Sequence, residues 1–154
     1  MATTRPNWTL VQVNGSERPI YADKKASASI KPGHLCVLAA NNVINPVTTA
    51  DALTAKVLAV EASWANTDTT QTIQQQPYGV GDTVNYIYAQ GGDLVQLHLS
   101  ASQTAAVGAA LAASGTAGEV SVETTNKDAT LVAVAEEAVT TGAGETKRIL
   151  ARII

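Results

Sequence analysis

The stretch "YGVGDTVNYIYAQGGDLVQLHLS", Tyr78 to Ser100, gives the clearest indication of fold class, because two runs of alternating side chains flank a Gly-Gly pair. In a strand successive side chains point to opposite faces, so Val95, Leu97 and Leu99 share the face that we expect to be buried. The pattern predicts two β-strands joined as a hairpin. Its few titratable side chains are scattered, which indicates a surface rather than a reaction centre.

Other strand-like runs extend along the chain. They cover Trp8 to Val13, Ile30 to Leu38, Val43 to Val47, Ala55 to Ala62, Glu119 to Glu123, Leu131 to Val139 and Lys147 to Ile154. Asn41-Asn42 suits the left-handed turn of a tight hairpin. Alanine in Ser100 to Gly118 favours one short helix, interrupted by glycines. The sequence predicts a mainly β fold, a small β-barrel or sandwich-like domain with at most one short helix.

The chain divides into an irregular beginning and a body. Residues 1–29 are polar and contain the breakers Pro6 and Pro19, which predicts an extended N-terminal arm, with Ala22 to Ser29 as a linker. Residues 30–154 form the predicted β-rich domain. A chain of this length can bury roughly 70% of its unfolded surface in one domain. No internal repeat is long enough to indicate a solenoid.

Charge and cysteine content limit the possible partners. The formal charge of −3 argues against nucleic acid, whose binding depends on many contacts between basic side chains and phosphates. Through Lys56 six basic residues face three acidic ones, a net of +3, and the remainder has four against ten, a net of −6. This is either a basic leading segment on an acidic body or a chance imbalance. The single Cys36 excludes an intrachain disulfide, which predicts cytoplasmic synthesis.

No segment predicts a membrane span or an export signal. No apolar run approaches the ~20 residues that a spanning helix needs. Met1 to Trp8 lacks the apolar core of a signal peptide. We therefore expect no membrane partner.

Two histidines and the cysteine are the first candidates for chemistry. His34 and Cys36 are two residues apart on a predicted strand and would face the same way, and His98 could join them. Two or three such residues without further ligands do not make a zinc site. Cysteine catalysis also needs an orienting partner and an oxyanion site. We interpret them as a part-buried thiol beside a hydrogen-bonded histidine.

Carboxylates and glycine motifs give no stronger site. Adjacent Glu136 and Glu137 would project to opposite faces of a strand. Asp82 and Asp93 follow glycines, where carboxylates bond nearby backbone N–H groups. "YGVGDT" and "GAGETK" lack the spacing of phosphate-binding loops and are interpreted as turns. The sequence predicts no catalytic residue, no cofactor and no metal, and hence no enzyme.

Aromatic residues are the remaining candidates. Tyr86 and Tyr88 could stack nucleobases, but the run that contains them has no basic neighbour. Tyrosine is common on strands and at protein interfaces. We therefore expect packing or a subunit contact at these two residues.

The order of segments resembles a family of tailed-bacteriophage capsid decoration, or cement, proteins. The resemblance covers Ile30 to Ile154 and rests on Lys31-Pro32-Gly33-His34-Leu35, on Tyr78 with Gly81-Asp82, and on Gly92-Asp93. The polar loop from Thr67 to Gln76 and the Ala-rich Val107 to Ala113 depart from the family pattern.

The resemblance implies a non-enzymatic protein on the capsid surface that stabilises the expanded shell. Its implied partners are the major capsid protein and further copies of itself, as a trimer or a dimer. The predicted contact residues are Arg5, Trp8, Leu10, Val11, Tyr86 and Tyr88. The alternatives are another virion module, from a tail or fibre, and a carbohydrate-binding domain.

Overall fold

The computed structural model describes residues 11–14, 18–48, 56–61, 76–124 and 131–154. Every regular element among them is a β-strand, so the prediction of a mainly β fold is confirmed. The strands are β1 Gln12–Asn14, β2 Tyr21–Ala26, β3 Leu35–Ala39, β4 Val43–Pro46, β5 Lys56–Ala59, β6 Thr83–Ala89, β7 Leu94–Leu99, β8 Thr104–Ala105, β9 Ala110–Ala113, β10 Val120–Val122, β11 Leu131–Ala135, β12 Val139–Thr140 and β13 Lys147–Ile153. Within these ranges no helix could cross a membrane.

The first barrel is closed by β2, β4, β3, β5 and β6. β3 and β4 form the predicted hairpin, and Asn41 and Asn42 have φ angles of 62° and 59° in its turn. One side chain in two along the strands points inward, as the pleat requires. The core of this barrel consists of Ala26, Ile30, Cys36, Ile44, Val57, Ala59, Tyr78, Val84 and Tyr86.

The second barrel is part of a six-stranded sheet. β13 pairs with both β11 and β7, so β7, β10, β9, β11 and β13 close on themselves, while β1 is added at the edge of β7. The predicted buried face is confirmed, because Val95, Leu97 and Leu99 have no exposed surface. The strand predicted from Lys147 to Ile154 is confirmed too as β13, in which Ile149 and Ala151 are fully buried.

One cluster of buried side chains joins the two barrels. It contains Leu97 and Ile149 from the second barrel together with Leu35, Leu58 and Ile87 from the first. Successive residues of β3, β5 and β6 therefore point alternately into the first barrel and toward the second. These strands are buried on both faces, which explains their nearly continuous apolar sequences.

The two barrels repeat one topology. In chain order, the first strand of each barrel pairs parallel with the third and antiparallel with the fifth. In both barrels the second strand pairs antiparallel with the third and the fourth, and the fourth pairs antiparallel with the fifth. The described chain is therefore a tandem pair of one five-stranded motif.

The turn before the second strand is repeated as well. Gly33 has a φ of 95° and donates its N–H to the carbonyl of Ala59 at 2.8 Å. Gly108 has a φ of 86° and donates to the carbonyl of Ala135, also at 2.8 Å. Glycine tolerates this left-handed conformation without steric cost. The same backbone solution is thus used in both barrels.

The turn before the fifth strand gives a second correspondence. The Asp82 carboxylate accepts the N–H of Gly79 at 2.8 Å, and the Glu145 carboxylate accepts the N–H of Gly142 at 2.8 Å. Both turns were predicted as turns, and this is confirmed. The two copies share the geometry of their turns, but their residues differ. The repeat is therefore not visible in the sequence.

The predicted hairpin in Tyr78 to Ser100 is wrong. β6 pairs with β2 and β5, whereas β7 pairs with β1, β10 and β13. The Gly-Gly pair lies at the corner where the chain passes from the first barrel to the second, and Gly92 donates its N–H to the carbonyl of Ile153 at 2.8 Å. Alternation identifies a strand and its buried face, but it does not identify the strand's partner.

The short helix expected in Ser100 to Gly118 is also absent from this fully described stretch, which contains β8 and β9. Gly108 lies in the turn between them. β9 pairs with both β10 and β11. Those ladders outweigh the helix preference of alanine, which is small per residue.

The predicted arm needs the largest correction. Tyr21–Ala26 is β2 of the first barrel, so Ala22 to Ser29 is not a linker. Gln12–Asn14 pairs with β7 of the same chain. Only Ala26 of β2 is fully enclosed in the barrel, so the other positions of this strand can carry polar residues. Residues 1–10 lie outside the described part of the chain.

Candidate functional site

Three tyrosines form a cluster on the first barrel. The rings of Tyr21 and Tyr86 stack with centroids 5.6 Å apart, and Tyr88 meets them edge-on at 5.3 Å and 5.9 Å. Such offset and edge-on geometries are the favoured ones for aromatic pairs. Tyr86 is 2% exposed, whereas Tyr21 and Tyr88 are 41% and 36% exposed. The cluster therefore presents two aromatic rings that rest on a buried one.

Polar groups hold the buried ring in place. The Tyr86 hydroxyl donates to Oδ1 of Asp23 at 2.6 Å, and the Lys24 ammonium donates to Oδ2 of the same carboxylate at 2.8 Å. Lys24 also reaches the side-chain oxygen of Asn42 at 3.4 Å. The hydrogen bonds from Lys24 and Tyr86 lower the pKa of Asp23. Burial and the Asp23 carboxylate raise the pKa of Tyr86, so this tyrosine stays protonated.

The tyrosine cluster is specific to the first barrel. Tyr21 lies opposite Tyr86 in the β2–β6 ladder, and Leu97 lies opposite Ile149 at the same distance from the turn before the fifth strand of the second barrel. Leu97 and Ile149 are both fully buried. The second barrel thus carries aliphatic side chains where the first carries aromatic rings.

The predicted contact residues fall into three groups. Tyr88 is exposed, whereas Tyr86 and Val11 are buried within the chain and do not offer a free surface. Arg5, Trp8 and Leu10 lie outside the described residues, and their role stays a prediction. Sequence reasoning missed Tyr21, because its segment was interpreted as part of an arm. The register that brings it to Tyr86 is set by the barrel.

His34 and His98 meet where the two barrels adjoin. Their ring centroids are 4.8 Å apart in an edge-on arrangement. Nδ1 of His34 accepts the N–H of Lys31 at 3.2 Å, and Nε2 of His98 donates to the carbonyl of Pro32 at 2.8 Å. Arg148 donates to the same carbonyl at 3.1 Å. Burial lowers the pKa of both histidines, that of His34 to about 3.

Cys36 is not placed for reaction. Its thiol is fully buried among the residues of the first barrel core, and it donates to the carbonyl of His34 at 3.5 Å. Burial raises the pKa of the thiol to about 12, so the reactive thiolate is not formed near neutral pH. Across the described ranges, no three His, Cys, Asp or Glu residues are grouped so as to hold a metal ion.

The remaining carboxylates have structural partners. Asp93 accepts two hydrogen bonds from Arg18, at 2.9 Å and 3.0 Å, and one from the N–H of Gln90 at 3.0 Å. The adjacent glutamates have separate partners, since Glu136 pairs with Arg152 at 2.9 Å and Glu137 accepts a backbone N–H. These bonds organise turns and strand edges, as predicted for Asp82 and Asp93.

Comparison with solved structures finds a similar fold in the N base of the head fiber protein gp8.5 of bacteriophage phi29. The fold of this chain resembles that of a phage head fiber base. The TM-score is 0.57, and the match covers 89% of this chain and 94% of the fiber base. Sequence identity is 13%, so the likeness concerns the fold. No protein-family model and no curated protein matches the sequence.

Proposed function

We propose that this protein is a non-enzymatic structural component of a phage virion, bound to the outer surface of the head. The observation that supports the proposal most strongly is the shared fold, which extends over nearly the whole of this chain and of the phi29 head fiber base. The resemblance of its segment order to capsid decoration proteins points the same way. The head fiber base and the capsid decoration proteins are both structural parts of a phage particle.

The described side chains are consistent with such a role. The cysteine thiol is enclosed, and the carboxylates of Asp82, Asp93 and Glu145 hold turns through backbone N–H groups. A catalytic site would need convergent titratable groups around a reacting atom. The groups that converge here, His34 and His98, are packed against each other and against backbone.

Within this role we propose a decoration protein that binds the major capsid protein and stabilises the expanded shell. Two fused barrels with a common core form a rigid body, which suits a protein that must bridge capsid subunits. The base of a head fiber is the second candidate, and the likeness to gp8.5 favours it. A fiber base binds the head but must also hold a further, distal part.

The test uses heads of the phage that encodes this protein, prepared so that the heads do not contain it. Purified chain is added, the heads are sedimented, and bound chain is counted per capsid subunit. The heads are then heated with and without bound chain, and the release of packaged DNA is followed. We expect saturable binding for either candidate. A higher temperature of DNA release indicates decoration, and an unchanged temperature indicates a fiber base.

A control protein of similar acidity separates specific binding from nonspecific attachment. Sedimentation at increasing salt adds a second check, because contacts between exposed charges weaken as ionic strength rises. A chain that does not sediment with the heads under any of these conditions would contradict the proposed location.

A further inference from the structure

The three clustered tyrosines lie at one end of the first barrel. Tyr86 and Tyr88 are opposite Ala59 and Val57, two residues of the barrel core, so both rings are on the inner side of the β5–β6 ladder. β6 ends one residue after Tyr88, and β2 begins at Tyr21. The two exposed rings therefore meet solvent at the end of the barrel.

The fold does not require aromatic rings at this place. The chain has four tyrosines and no phenylalanine, and three of the four tyrosines are in this cluster. The second barrel closes with the buried aliphatic pair of Leu97 and Ile149 at the corresponding ladder position. Neighbouring exposed aromatic rings that packing does not require indicate contact with a ligand.

The two exposed rings form a corner. The ring planes of Tyr21 and Tyr88 are 82° apart, and their centroids are 5.3 Å apart. Aromatic side chains bury about 150–250 Å² each when enclosed, so these two, 41% and 36% exposed, present roughly 150 Å² together. Each partner in a standard protein interface buries about 800 Å². The corner therefore suits a small ring-shaped ligand better than a protein surface.

A polar edge without net charge borders the corner. The side chain of Asp23 is 58% exposed and forms an ion pair with Lys24, whose ammonium also donates to the side-chain oxygen of Asn42. A carboxylate has more acceptor positions than the two hydrogen bonds that Asp23 receives from Tyr86 and Lys24. Because the carboxylate and the ammonium neutralise each other, this edge suits hydroxyl groups better than a charged ligand.

We propose that the corner of Tyr21 and Tyr88 binds a neutral sugar, a pyranose ring of β-linked glucose or N-acetylglucosamine. The substituents of these rings are all equatorial, so both faces of the sugar present C–H groups. These weakly positive groups stack on the negative face of an aromatic ring, while hydroxyl groups at the sugar's rim bond to Asp23 and Asn42. The assignment does not depend on the proposed location in a virion.

The first test titrates the isotope-labelled full-length chain with chitotetraose and, separately, with cellotetraose, and follows the amide signals by NMR. The area of the corner corresponds to a dissociation constant no tighter than about 1 mM. We expect saturable shifts that are confined to β2, the turn at Asn42 and the end of β6. A chain whose signals do not move with either sugar would overturn the assignment.

Variants of Tyr88 test the stacking contact. Tyr88→Ala removes one wall of the corner and should raise the dissociation constant about tenfold. Tyr88→Phe keeps the ring and should change the constant by less than about threefold. Val107→Ala is the control, because Val107 is an apolar side chain that is 67% exposed on the second barrel, and it should have no effect. Unchanged binding by Tyr88→Ala would contradict the assignment.

Asn42→Gly tests the polar edge. Asn42 has a φ of 59°, which glycine adopts without steric cost, so this variant removes the amide and keeps the turn. Loss of one hydrogen bond should raise the dissociation constant about fivefold. Asn41→Gly makes the same change at the neighbouring residue, where φ is 62°, and should leave the constant within about twofold. Equal constants for the two variants would contradict a role of this edge.

Two other occupants of the corner would also overturn the assignment. If the full-length chain is an oligomer by light scattering and Tyr88→Ala dissociates it, the rings are a contact between copies. If Tyr88→Ala no longer sediments with phage heads, the rings are a contact with the capsid. We expect the folded variant to keep the mass and the head binding of the unaltered chain. Tyr88→Thr, which keeps a residue suited to a strand, serves if the alanine variant melts early.

Discussion

At the scale of single residues, two glycines share the left-handed backbone conformation, but replacing them with alanine should cost different amounts of folding free energy. Gly118 has a φ of 80°, and a Cβ added there would lie 2.7 Å from Cγ of His34. Gly108 has a similar φ of 86°, and nothing lies within 4 Å of an added Cβ. The two positions therefore separate the steric demand of a packed ring from the conformational demand of the turn.

Gly118→Ala should destabilise the protein more than Gly108→Ala. The left-handed conformation costs about 1–2 kcal/mol for either alanine. The contact with the buried His34 ring adds about 1–3 kcal/mol at Gly118 only. Urea unfolding measures both changes. Equal losses of unfolding free energy would show that the His34 ring moves aside without cost.

The ion pair of Arg18 with Asp93 should matter more than a surface pair. Asp93 has a side-chain exposure of 3% and Arg18 one of 14%, and two hydrogen bonds join them. Arg18→Ala should lower the free energy of unfolding by about 2–3 kcal/mol, because it leaves a buried carboxylate with fewer partners.

Lys147→Ala is the comparison for that ion pair. Lys147 and Glu145 are each 47% exposed, so solvent screens their ion pair and its loss should lower the free energy of unfolding much less than the loss of Arg18. Thermal or urea unfolding of the two variants under the same conditions gives the difference. A loss at Lys147 as large as that at Arg18 would contradict the prediction.

At the scale of elements, the barrels meet through polar as well as apolar groups. The turn that precedes β3 places His34 against His98 of β7, while Pro32 accepts hydrogen bonds from His98 and from Arg148 of β13. The positive charges of Lys31 and Arg148 help to keep both histidines neutral, and Glu119 opposes this effect at His98. The junction therefore favours the neutral form of both imidazoles.

Acid should weaken this junction. The pKa of His34 is about 3 in the folded chain, and that of an unfolded histidine is about 6.5. Between these values the unfolded chain binds more protons than the folded one. The free energy of unfolding therefore falls as pH is lowered from about 6.5, by up to about 1.4 kcal/mol per pH unit for each such histidine.

The variant His34→Gln separates the contribution of His34 to the acid sensitivity of stability from the contribution of the carboxylates. Urea unfolding at pH 7, 6 and 5 should give a smaller loss of stability with acid in this variant than in the unaltered chain. Equal slopes for the two proteins would assign the acid sensitivity to other groups.

At the scale of the whole molecule, the two barrels are joined by a common core. Because buried side chains of both barrels belong to one cluster, neither barrel is expected to melt alone. Calorimetry should show one transition whose calorimetric and van't Hoff enthalpies agree. Two resolved transitions would show that the barrels unfold independently.

Truncation from the N-terminus tests where the body begins. Removal of residues 1–10 leaves every described strand in place, so circular dichroism and cooperative melting should be retained. Removal of residues 1–29 also deletes β1 and β2, opens the first barrel and removes Val11 from the shared core, so cooperative melting should be lost. A cooperative melt after the longer deletion would support the predicted domain boundary at residue 30.

The sequence alone determined most of the strands, though not β2, β8 or β9, together with the buried face of β7 and the main turns of this protein. Alternation in β7 and β13, the Asn41-Asn42 turn and the glycine turns before β6 and β13 are local features, because side-chain period and backbone conformation depend on neighbouring residues. The same local reasoning predicted correctly that Asp82 and Asp93 hold turns.

Only the tertiary structure decided which strands pair and what they bring together. The corner at Gly91-Gly92, the place of β2 in the first barrel and the tandem repeat depend on pairing between distant segments, which alternation does not specify. Tyr21 joins Tyr86 and Tyr88 for the same reason, across the β2–β6 ladder.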